Sequence, residues 1–290
     1  TTFQDHGRQN LNHIGITVSG AMDKRNYILA NALLKKDLNS PVIEFAYQGP
    51  LLKYKGEEIF IVLTGDVKFQ IVRDNNKKII GEPYQVYLIQ NNDKIDIQST
   101  NKSVYGYISV SEDFVLDKTW GSYSINTKAN IGPNNGEKLS NNQKINIDHK
   151  KKNLTITNLN YVNSKIEYIR VLRSMHFDFF SEKSKNIFFN KEFKVTKLSD
   201  RMGMRLEGQV LENVVNSNIK SEGLVKGVIQ VPSDGNPIIM LSDHGTIGGY
   251  PKIANVISAD FDKLVQMIPG SAIKFKQVSL EEAEKLFKFY

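Results

Sequence analysis

Short apolar stretches separated by polar turns recur along most of this chain. Residues Ile59 to Leu63 form one continuous apolar run, and every second residue from Val67 to Ile71 is apolar. A short continuous run is typical of a buried strand, and strict alternation is typical of a strand with one face in water. The same reasoning predicts further strands at 84–89, 95–97, 104–110, 167–172 and 224–231.

Helical spacing is found in few segments. Met22 to Lys35 carries its apolar residues on one side, and Ser19 or Asp23 can cap its first amides. Phe261 to Ile268 is a short helical segment stopped by a Pro-Gly pair, and a capping box at Ser279 opens a C-terminal helix. Many short strands with few helices predict a mainly β fold with a few α-helices, built as barrels or sandwiches.

Length and composition predict two domains. The chain has 290 residues, of which 40% are hydrophobic, so it has the material for two cores of moderate size. Residues 127–153 are polar and rich in Asn, Gly and Lys, which is typical of a linker. We therefore expect one domain at 1–150 and a second at 151–290.

Composition also excludes several classes of function. There is no cysteine, which removes disulfides, thiolate catalysis and Cys-ligated zinc, and no other metal-ligand motif is present. No apolar run approaches the ~20 residues of a membrane helix, and no signal-peptide pattern opens the printed sequence. The net charge of +7 is scattered without a nucleic-acid-binding motif. We expect a cytoplasmic protein that binds no metal, membrane or nucleic acid.

Arginine is scarce, and its placement suggests anion binding. Most of the 38 basic side chains are Lys, so an Arg is informative where a planar, five-donor group can grip a carboxylate or phosphate. Arg8 closes the segment Gln4-Asp-His-Gly-Arg8, in which Asp5 could orient it. Asp5 and Arg8 are therefore candidate catalytic residues. The alternative is a structural Asp–Arg pair that ties the amino terminus to the fold.

A run of small residues precedes the first predicted helix. Ser19, Gly20 and the next residue would let a ligand approach the backbone, and a helix amino terminus favours an anion. The candidate substrate-binding residues here are Ser19, Gly20, Met22, Asp23 and Asn26. A plain helix cap with a turn is the alternative explanation.

Two further arginines lie in the segment Ser199 to Gly208. Arg201 and Arg205 are four residues apart, a spacing that puts them on one face of either a helix or a strand. Both are candidate catalytic residues that could converge on one anion, with Asp200 and Glu207 holding them. A structural salt-bridge network is the alternative.

The last third of the chain supplies the remaining candidates. Glu222 precedes a predicted strand and is a candidate catalytic acid, and Gln230 offers both a donor and an acceptor to an amide. Paired glycines allow positive φ and close backbone approach, while neighbouring hydroxyls can bind substrate. The candidates in this segment are Thr246, Gly248, Gly249 and Tyr250. His244 has a suitable pKa for a base, but a lone histidine is usually structural.

These segments, taken in order, resemble the allophanate hydrolase subunit 2 family of biotin-dependent carboxyltransferase relatives. That family includes the C subunit of bacterial 5-oxoprolinase and the carboxyltransferase domain of urea amidolyase. The chain departs from the family pattern at 174–176, where Ser-Met-His replaces Gly-Pro-Gln. The matching segments are Thr2–Arg8, Ser19–Asp23, Ser199–Gly208, Ser221–Gly223, Gln230–Pro237 and Thr246–Pro251.

The resemblance implies two cyclophilin-like β-barrel domains and an enzyme subunit that works only in a complex. Together with the A and B subunits of 5-oxoprolinase, such a subunit opens 5-oxoproline to L-glutamate at the expense of ATP. The arginines would bind a substrate carboxylate or phosphate, and Gln230 or Thr246 would bind the lactam. This requires guanidinium groups from both halves to face one cleft.

Two other functions fit the same family. One is a biotin-dependent carboxyltransferase acting on urea or another amide. It would need a separate biotin carrier, because Ala21-Met22 is followed by Asp23 and not by a lysine that could be biotinylated. The other is a non-catalytic module that regulates a kinase inhibitor.

Overall fold

The chain folds into two compact units. The computed structural model describes residues 1–149, 154, 156–161, 166–214 and 218–288. By their internal contacts, unit 1 comprises Thr1–Gln9 with Ser19–Asn163, and unit 2 comprises Asn10–Val18 with Ser164–Tyr290. The division therefore differs in two places from the predicted domains at 1–150 and 151–290. Residues 10–18 belong with unit 2, and the later break falls at 163.

Unit 1 is built mainly from two antiparallel sheets. Its first sheet has the order β1-β2-β9-β4-β7, its second the order β3-β8-β5-β6, and β10 pairs with β11. The strands in chain order are β1 Thr2–Gln4, β2 Val42–Ala46, β3 Leu51–Lys53, β4 Ile59–Thr64, β5 Val67–Val72, β6 Lys78–Gly81, β7 Val86–Ile89, β8 Lys94–Thr100, β9 Tyr105–Val110, β10 Asp113–Phe114 and β11 Ile147–Asp148.

The core of unit 1 follows from the sequence pattern. Alternate residues of β5 are buried and join one apolar cluster with Phe3, Phe45 and Ile108. Gly106 in β9 is required by this packing, because a Cβ there would lie 2.5 Å from the ring of Phe45. Helix α1, Lys24–Leu33, begins after the N-cap Asp23, one of the two predicted caps.

The predicted linker at 127–153 is wrong over its described part. Residues 127–149 belong to unit 1 and include a 3₁₀ turn at Asn134–Gly136 and strand β11. Leu139, Ile145 and Ile147 pack against the core, and the amide of Leu139 donates to the carbonyl of Thr1 at 3.0 Å. Three well-placed apolar residues thus anchor a segment whose average composition is polar. Residues 150–153 lie outside the described residues.

Unit 2 contains an eight-stranded sheet that forms a nearly closed barrel. The order is β20-β13-β14-β17-β16-β19-β12-β21; β12 and β21 are parallel, and β15 and β18 form a separate two-stranded sheet. The strands are β12 Ile169–Arg173, β13 Phe193–Val195, β14 Gly203–Glu207, β15 Glu222–Gly223, β16 Val228–Gln230, β17 Ile238–Met240, β18 Ile247–Gly248, β19 Lys252–Val256, β20 Ala272–Ile273 and β21 Phe275–Gln277.

Three helices belong to unit 2. Helix α2 (Glu182–Asn190) has no counterpart among the predicted helices, and it is held by tertiary packing, with Phe188 stacked on Phe275 at 4.5 Å. Helix α3 (Ser258–Val265) starts three residues before the predicted segment and ends before 268. Helix α4 (Leu280–Lys288) is capped as predicted, since the Oγ of Ser279 accepts from the amide of Glu282 at 3.1 Å. Short 3₁₀ turns lie at Asn12–Ile14 and Phe177–Phe179.

These elements confirm the predicted fold class: mainly β, with a few α-helices and barrel-like sheets. Within the described ranges, no helix is both long enough and apolar enough to span a bilayer.

Candidate functional site

The predicted site residues fall into one group in each unit. Unit 1 contains Asp5, Arg8, Ser19, Gly20, Met22, Asp23 and Asn26, and unit 2 contains Arg201, Arg205, Glu222, Gln230, Thr246, Gly248, Gly249 and Tyr250. The expectation that both groups face one cleft stays a prediction. The two groups differ in their chemistry.

In unit 1, the Asp5 carboxylate is the centre of a buried cluster of neutral donors. Its Oδ1 accepts from the hydroxyls of Ser122 at 2.6 Å and Ser124 at 2.5 Å and from the amide of Gly7 at 2.8 Å. Its Oδ2 accepts from the amide of Tyr123 at 2.7 Å. A carboxylate with this many donors and 6% exposure holds segments of chain together.

Arg8 binds the same segment as Asp5. Its side chain is 1% exposed, and Nη2 donates to the carbonyl of Ser124 at 2.5 Å. Asp5 and Arg8 therefore both fasten the first residues of the chain to 122–124. The amino terminus is thus tied to the fold through residues 122–124, and a catalytic role for either residue stays a prediction. Sequence reasoning does not select Ser122 or Ser124, although both stand in a Gly-Ser-x-Ser turn.

The backbone before helix α1 is folded back on unit 1 itself. Ser19 and Gly20 have φ of +58° and +87°, and a Cβ on Gly20 would lie 3.0 Å from the amide nitrogen of Gly7. The Oγ of Ser19 accepts from the side-chain amide of Asn126 at 3.2 Å. The small residues thus allow close approach, as predicted, but the group that approaches is the chain's own backbone.

The amides at this helix start have internal acceptors. Ala21 donates to the carbonyl of Asp5 at 2.9 Å, and Met22 donates to Oε2 of Glu44 at 2.8 Å. Asp23 donates its amide to the hydroxyl of Tyr107 at 2.8 Å. An anion bound here would have to displace one of these partners, so the geometry favours the cap-and-turn alternative. A ligand contact at these residues stays a prediction.

Asp23 and Asn26 complete this network. The two carboxylate oxygens of Asp23 accept from the amide of Asn26 at 2.9 Å and from its side-chain amide at 2.6 Å. The side-chain oxygen of Asn26 accepts from Tyr84 at 2.7 Å. Burial, followed by the carboxylates of Glu44 and Asp23, raises the pKa of Tyr107 well above its usual value. Tyr107 therefore remains a neutral phenol inside this network.

In unit 2, Arg201 is held by a distant aspartate. Its Nε donates to Oδ2 of Asp243 at 2.7 Å and its Nη2 donates to Oδ1 at 3.1 Å, a two-pronged pair. The predicted holder, Asp200, instead accepts from the amides of Met202 at 2.8 Å and Gly203 at 3.2 Å. Asp200 is wrong as the partner because its short side chain closes the turn before β14.

Arg205 lies in a different setting from Arg201. Arg201 is in the turn that precedes β14, whereas Arg205 is within β14 and exposed, on the same face as Glu207. The spacing of four residues therefore spans a turn and a strand, and only one of the two guanidiniums is held by Asp243. Convergence of both groups on one anion stays a prediction.

Glu222 belongs to a charged cluster that the sequence does not predict. The Nζ of Lys252 donates to its Oε2 at 2.5 Å, and Nε2 of His176 lies 3.6 Å from its Oε1. The Lys252 side chain is 5% exposed, while that of Glu222 is 39% exposed. The hydrogen bond from Lys252 lowers the pKa of Glu222, with smaller contributions from the charges of Lys252 and His176. We call Lys252, Glu222 and His176 the Lys252 cluster.

The tautomer of His176 follows from its second contact. The backbone amide of Lys252 donates to Nδ1 of His176 at 3.4 Å, so Nδ1 is the acceptor and Nε2 carries the proton in the neutral ring. That proton faces Glu222. The ring also stacks on Phe179 with a centroid distance of 4.7 Å, which fixes its orientation.

Gln230 and Gly248 flank the Lys252 cluster. Gln230 pairs with Lys252 across β16 and β19, and Gly248 pairs with Glu222 across β15 and β18. The Nε2 of Gln230 donates to the carbonyl of Tyr250 at 3.1 Å. A Cβ on Gly248 would lie 2.8 Å from that same nitrogen. The predicted residues Glu222, Gln230, Gly248 and Tyr250 are thus brought together.

The glycine pair shows one of its two expected features. Neither Gly248 nor Gly249 has positive φ, so that part of the prediction is wrong. Close approach is found, since a Cβ on Gly249 would lie 2.9 Å from the carbonyl oxygen of Ile219. Thr246 contributes its carbonyl to the amide of Leu224 at 2.9 Å and is half-buried.

His244 is not part of the Lys252 cluster. Its Nδ1 lies 2.6 Å from the carbonyl of Gly245, which makes Nδ1 the donor. Burial lowers the pKa of His244, so the ring is neutral near pH 7. A structural histidine, the alternative weighed from the sequence, accounts for these contacts.

The Lys252 cluster can hold an ionised carboxylate at the surface of unit 2 and offer it to a donor. Two signals in the sequence point to its other members: Lys252 directly precedes the apolar pair Ile253-Ala254, and His176 is a departure from the family pattern. Among the residues that the structure describes, no group of three or more His, Cys, Asp or Glu is arranged to hold a metal ion.

Comparisons with known proteins agree with the motifs. The chain is 35% identical over 293 residues to a Haemophilus influenzae protein named as the C subunit of 5-oxoprolinase, and the match covers 98% of this chain and 90% of that protein. It is 30% identical over 289 residues to the Escherichia coli protein of the same name, with the same coverage.

A solved structure shares the fold. The Kluyveromyces lactis urea amidolyase matches with a TM-score of 0.88 and 24% identity over 99% of this chain and 18% of that chain. The family described as carboxyltransferase domain, subdomain A and B, matches residues 14–277. The resemblance predicted from the motifs is confirmed, and this chain belongs to that carboxyltransferase domain family.

Proposed function

We propose that this chain is the C-type subunit of an ATP-dependent 5-oxoprolinase. It would act with the A and B subunits, in the cytoplasm, to open 5-oxoproline to L-glutamate. The observation that carries the proposal is the identity of 35% and 30% to two proteins named as the C subunit of 5-oxoprolinase, over 90% of the length of each.

The proposed reaction needs an activated lactam. The γ-phosphoryl group of ATP would pass to the lactam oxygen and release ADP. One water would then add at the ring carbon, and the carbon–nitrogen bond would break to give an acyl phosphate and an amine that keeps the lactam proton and gains one from that water. A second water would hydrolyse the acyl phosphate to the carboxylate and inorganic phosphate. This chain has no phosphate-binding Gly-Lys-Ser/Thr loop of its own, so the nucleotide would be shared with the partner subunits.

The Lys252 cluster offers a hydrogen-bond acceptor for the lactam N–H. A carboxylate whose pKa is lowered by a hydrogen bond stays ionised near pH 7 and is a weak base. Glu222 would therefore accept the lactam N–H and orient the ring rather than take a proton from water. Lys252 would hold Glu222 ionised through one carboxylate oxygen, and the Nε2–H of His176 would orient the carboxylate through the other.

The exposed guanidinium of Arg205 suits the other end of the substrate. 5-Oxoproline carries a carboxylate, and an exposed arginine can bind a carboxylate in two-pronged fashion. Arg201 already binds Asp243 in this way, so Arg205 is the stronger candidate of the two.

Co-purification with the A and B subunits gives the test. We expect ATP-dependent release of L-glutamate from 5-oxoproline by the wild-type complex, and a loss of roughly a hundredfold or more in kcat for Glu222→Gln, because the amide cannot replace an ionised acceptor. Glu284→Gln, on the exposed side of α4 in the same unit, is the matched control and should keep full activity. An assembled complex without ATP-dependent glutamate release would reject the proposal.

A biotin-dependent carboxyltransferase is the second candidate, favoured by the fold shared with urea amidolyase. The segments Ser19 to Asp23 and 243–250 would bind the biotin and its acceptor. The first segment fits poorly, because the amides of Ala21, Met22 and Asp23 already bind internal acceptors. Calorimetry should detect no binding of free biotin; measurable affinity would favour this candidate over the first.

A further inference from the structure

The single tryptophan of the chain stands at the tip of a tight hairpin in unit 1. Thr119 and Ser122 exchange backbone hydrogen bonds of 2.9 Å and 3.3 Å around the two-residue turn Trp120–Gly121. The turn residues have φ of +50° and +81°. Two positive φ values favour Asn-Gly, and a bulky residue rarely adopts the first of these positions. The backbone conformation at this position therefore disfavours tryptophan.

The base of this hairpin is fixed. Ser122 Oγ donates to Asp5 at 2.6 Å, and the amide of Tyr123 donates to the same carboxylate at 2.7 Å. The tip, in contrast, is open. Trp120 is 55% exposed, and a Cβ on Gly121 would have no heavy atom within 4 Å. An aromatic side chain is thus presented on a rigid support with open space around it.

The segment that leads into the hairpin, 115–118, carries exposed apolar and charged side chains, among them Asp117. Val115, on the approach to the hairpin, is 60% exposed, and the Nζ of Lys118 lies 5.1 Å from the ring centroid of Tyr123. Tryptophan is enriched at the centre of protein interfaces, where it often carries much of the binding energy.

We propose that Trp120 anchors this chain to a partner subunit of its complex, by inserting the indole into an apolar pocket that offers an acceptor to Nε1–H. The inference rests on the proposed function, which requires partner subunits. A tryptophan on a fixed hairpin loses little freedom on binding, so most of its burial contributes to affinity. Indole Nε1–H is only a donor, which defines the acceptor in the pocket.

The shape of the tip selects a protein over a small molecule. Sites for small ligands are concave and bury most of the ligand surface. A convex tip with open space beside Gly121 cannot do this, whereas it can itself be enclosed by a cavity of another chain. Binding of 5-oxoproline or ATP by Trp120, or pairing of two copies of this chain, would be the competing outcomes.

The test distinguishes the effect of losing the indole ring from the effect of changing the turn conformation. Trp120→Asn removes the ring and supplies a residue that this turn prefers, so the melting temperature should be unchanged or higher. Tyr47→Asn is the matched control, because Tyr47 is also in unit 1, is 49% exposed and has φ of +60°. Against the co-purified A and B subunits, we expect Trp120→Asn to bind roughly thirtyfold more weakly, and Tyr47→Asn to bind as the wild type does.

A second measurement reports on the indole directly. The chain labelled with 5-fluorotryptophan has one ¹⁹F resonance, which should shift or broaden when the unlabelled A and B subunits are added. Wild-type binding by Trp120→Asn in a complex that releases glutamate would overturn this proposal alone. A shift with 5-oxoproline, ATP or rising chain concentration, and none with the added partners, would also overturn it. Failure of the wild-type chain to bind either partner would overturn both the function and the anchor.

Discussion

Each unit contains a polar cluster built around a carboxylate, and the two carboxylates differ in their hydrogen-bond donors and in their exposure. Asp5 in unit 1 accepts hydrogen bonds from hydroxyls and backbone amides and is 6% exposed. Glu222 in unit 2 faces a buried ammonium and an imidazole, yet its side chain is 39% exposed. A saturated carboxylate fastens chain segments, whereas a carboxylate with one open side can still accept a hydrogen from a substrate.

Structural and functional candidates can be distinguished by whether their hydrogen-bonding groups are already used within the protein. In unit 1 the amides before α1 are bound by Asp5, Glu44 and Tyr107, so the predicted anion site has its donors already in use. In unit 2 the charged pair leaves part of Glu222 accessible. Variants in each cluster can therefore test the distinction.

The largest expected effect is on stability, from the Asp5 cluster. Asp5→Ala removes the acceptor of two hydroxyls and two amides that remain buried, and we expect a loss of about 3–4 kcal/mol in the free energy of unfolding. Urea unfolding followed by circular dichroism measures it. Asp74→Ala, in an exposed turn of the same unit, should change stability by less than about 0.5 kcal/mol. Equal losses in both variants would contradict the structural role of Asp5.

The intermediate effect depends on pH and belongs to the Lys252 cluster. Lys252 lowers the pKa of Glu222 below its usual value of 4.5, so the pair contributes stability above that pH and loses it as the pH falls through the lower pKa of the folded state. The stability difference between wild type and Lys252→Met should be constant from pH 7 to about pH 5.5 and shrink on further acidification. Thermal unfolding over this pH range and below it measures the difference, and a value that is independent of pH would refute the pairing.

The smallest expected effect tests the packing beside this cluster. Gly248→Ala places a Cβ 2.8 Å from Nε2 of Gln230, and the buried Gln230 must move. We expect a loss of about 1–2 kcal/mol in stability. Gly245→Ala is the control, because its nearest heavy atom would be 3.5 Å away and its φ is not positive. Differential scanning calorimetry compares the two, and identical melting temperatures would argue against a tight Gln230–Gly248 contact.

Local features of the sequence predict most of the elements. The alternation of Val67–Val72 corresponds to β5 residue for residue, Asp23 is the cap of α1, and Ser279 is the cap of α4. Helix α2 escapes prediction because its apolar residues are few and its position depends on packing against β21. The predicted linker is wrong over its described part, 127–149, because average composition hides three anchoring residues.

The candidate site is predictable in part. Glu222, Gln230, Gly248 and Tyr250 are selected from motifs and are close together in unit 2. The cation that defines the chemistry, Lys252, is 30 residues from Glu222 along the chain, so no motif contains both. Single residues can be identified from their type, but their partners cannot.

The sequence alone is enough to assign the mainly β class, the cap of α4, two candidate caps for α1, the family and a set of polar residues in short motifs. Each of these depends on residues near one another in the chain. The tertiary structure was needed to show that Asp5 is enclosed by hydrogen-bond donors, whereas Glu222 pairs with Lys252 and remains partly exposed. Hydrogen-bond partners 42, 76 and 117 residues apart, as in Arg201–Asp243, Lys252–His176 and Ser122–Asp5, are chosen by the register of strands and turns, which no local pattern specifies.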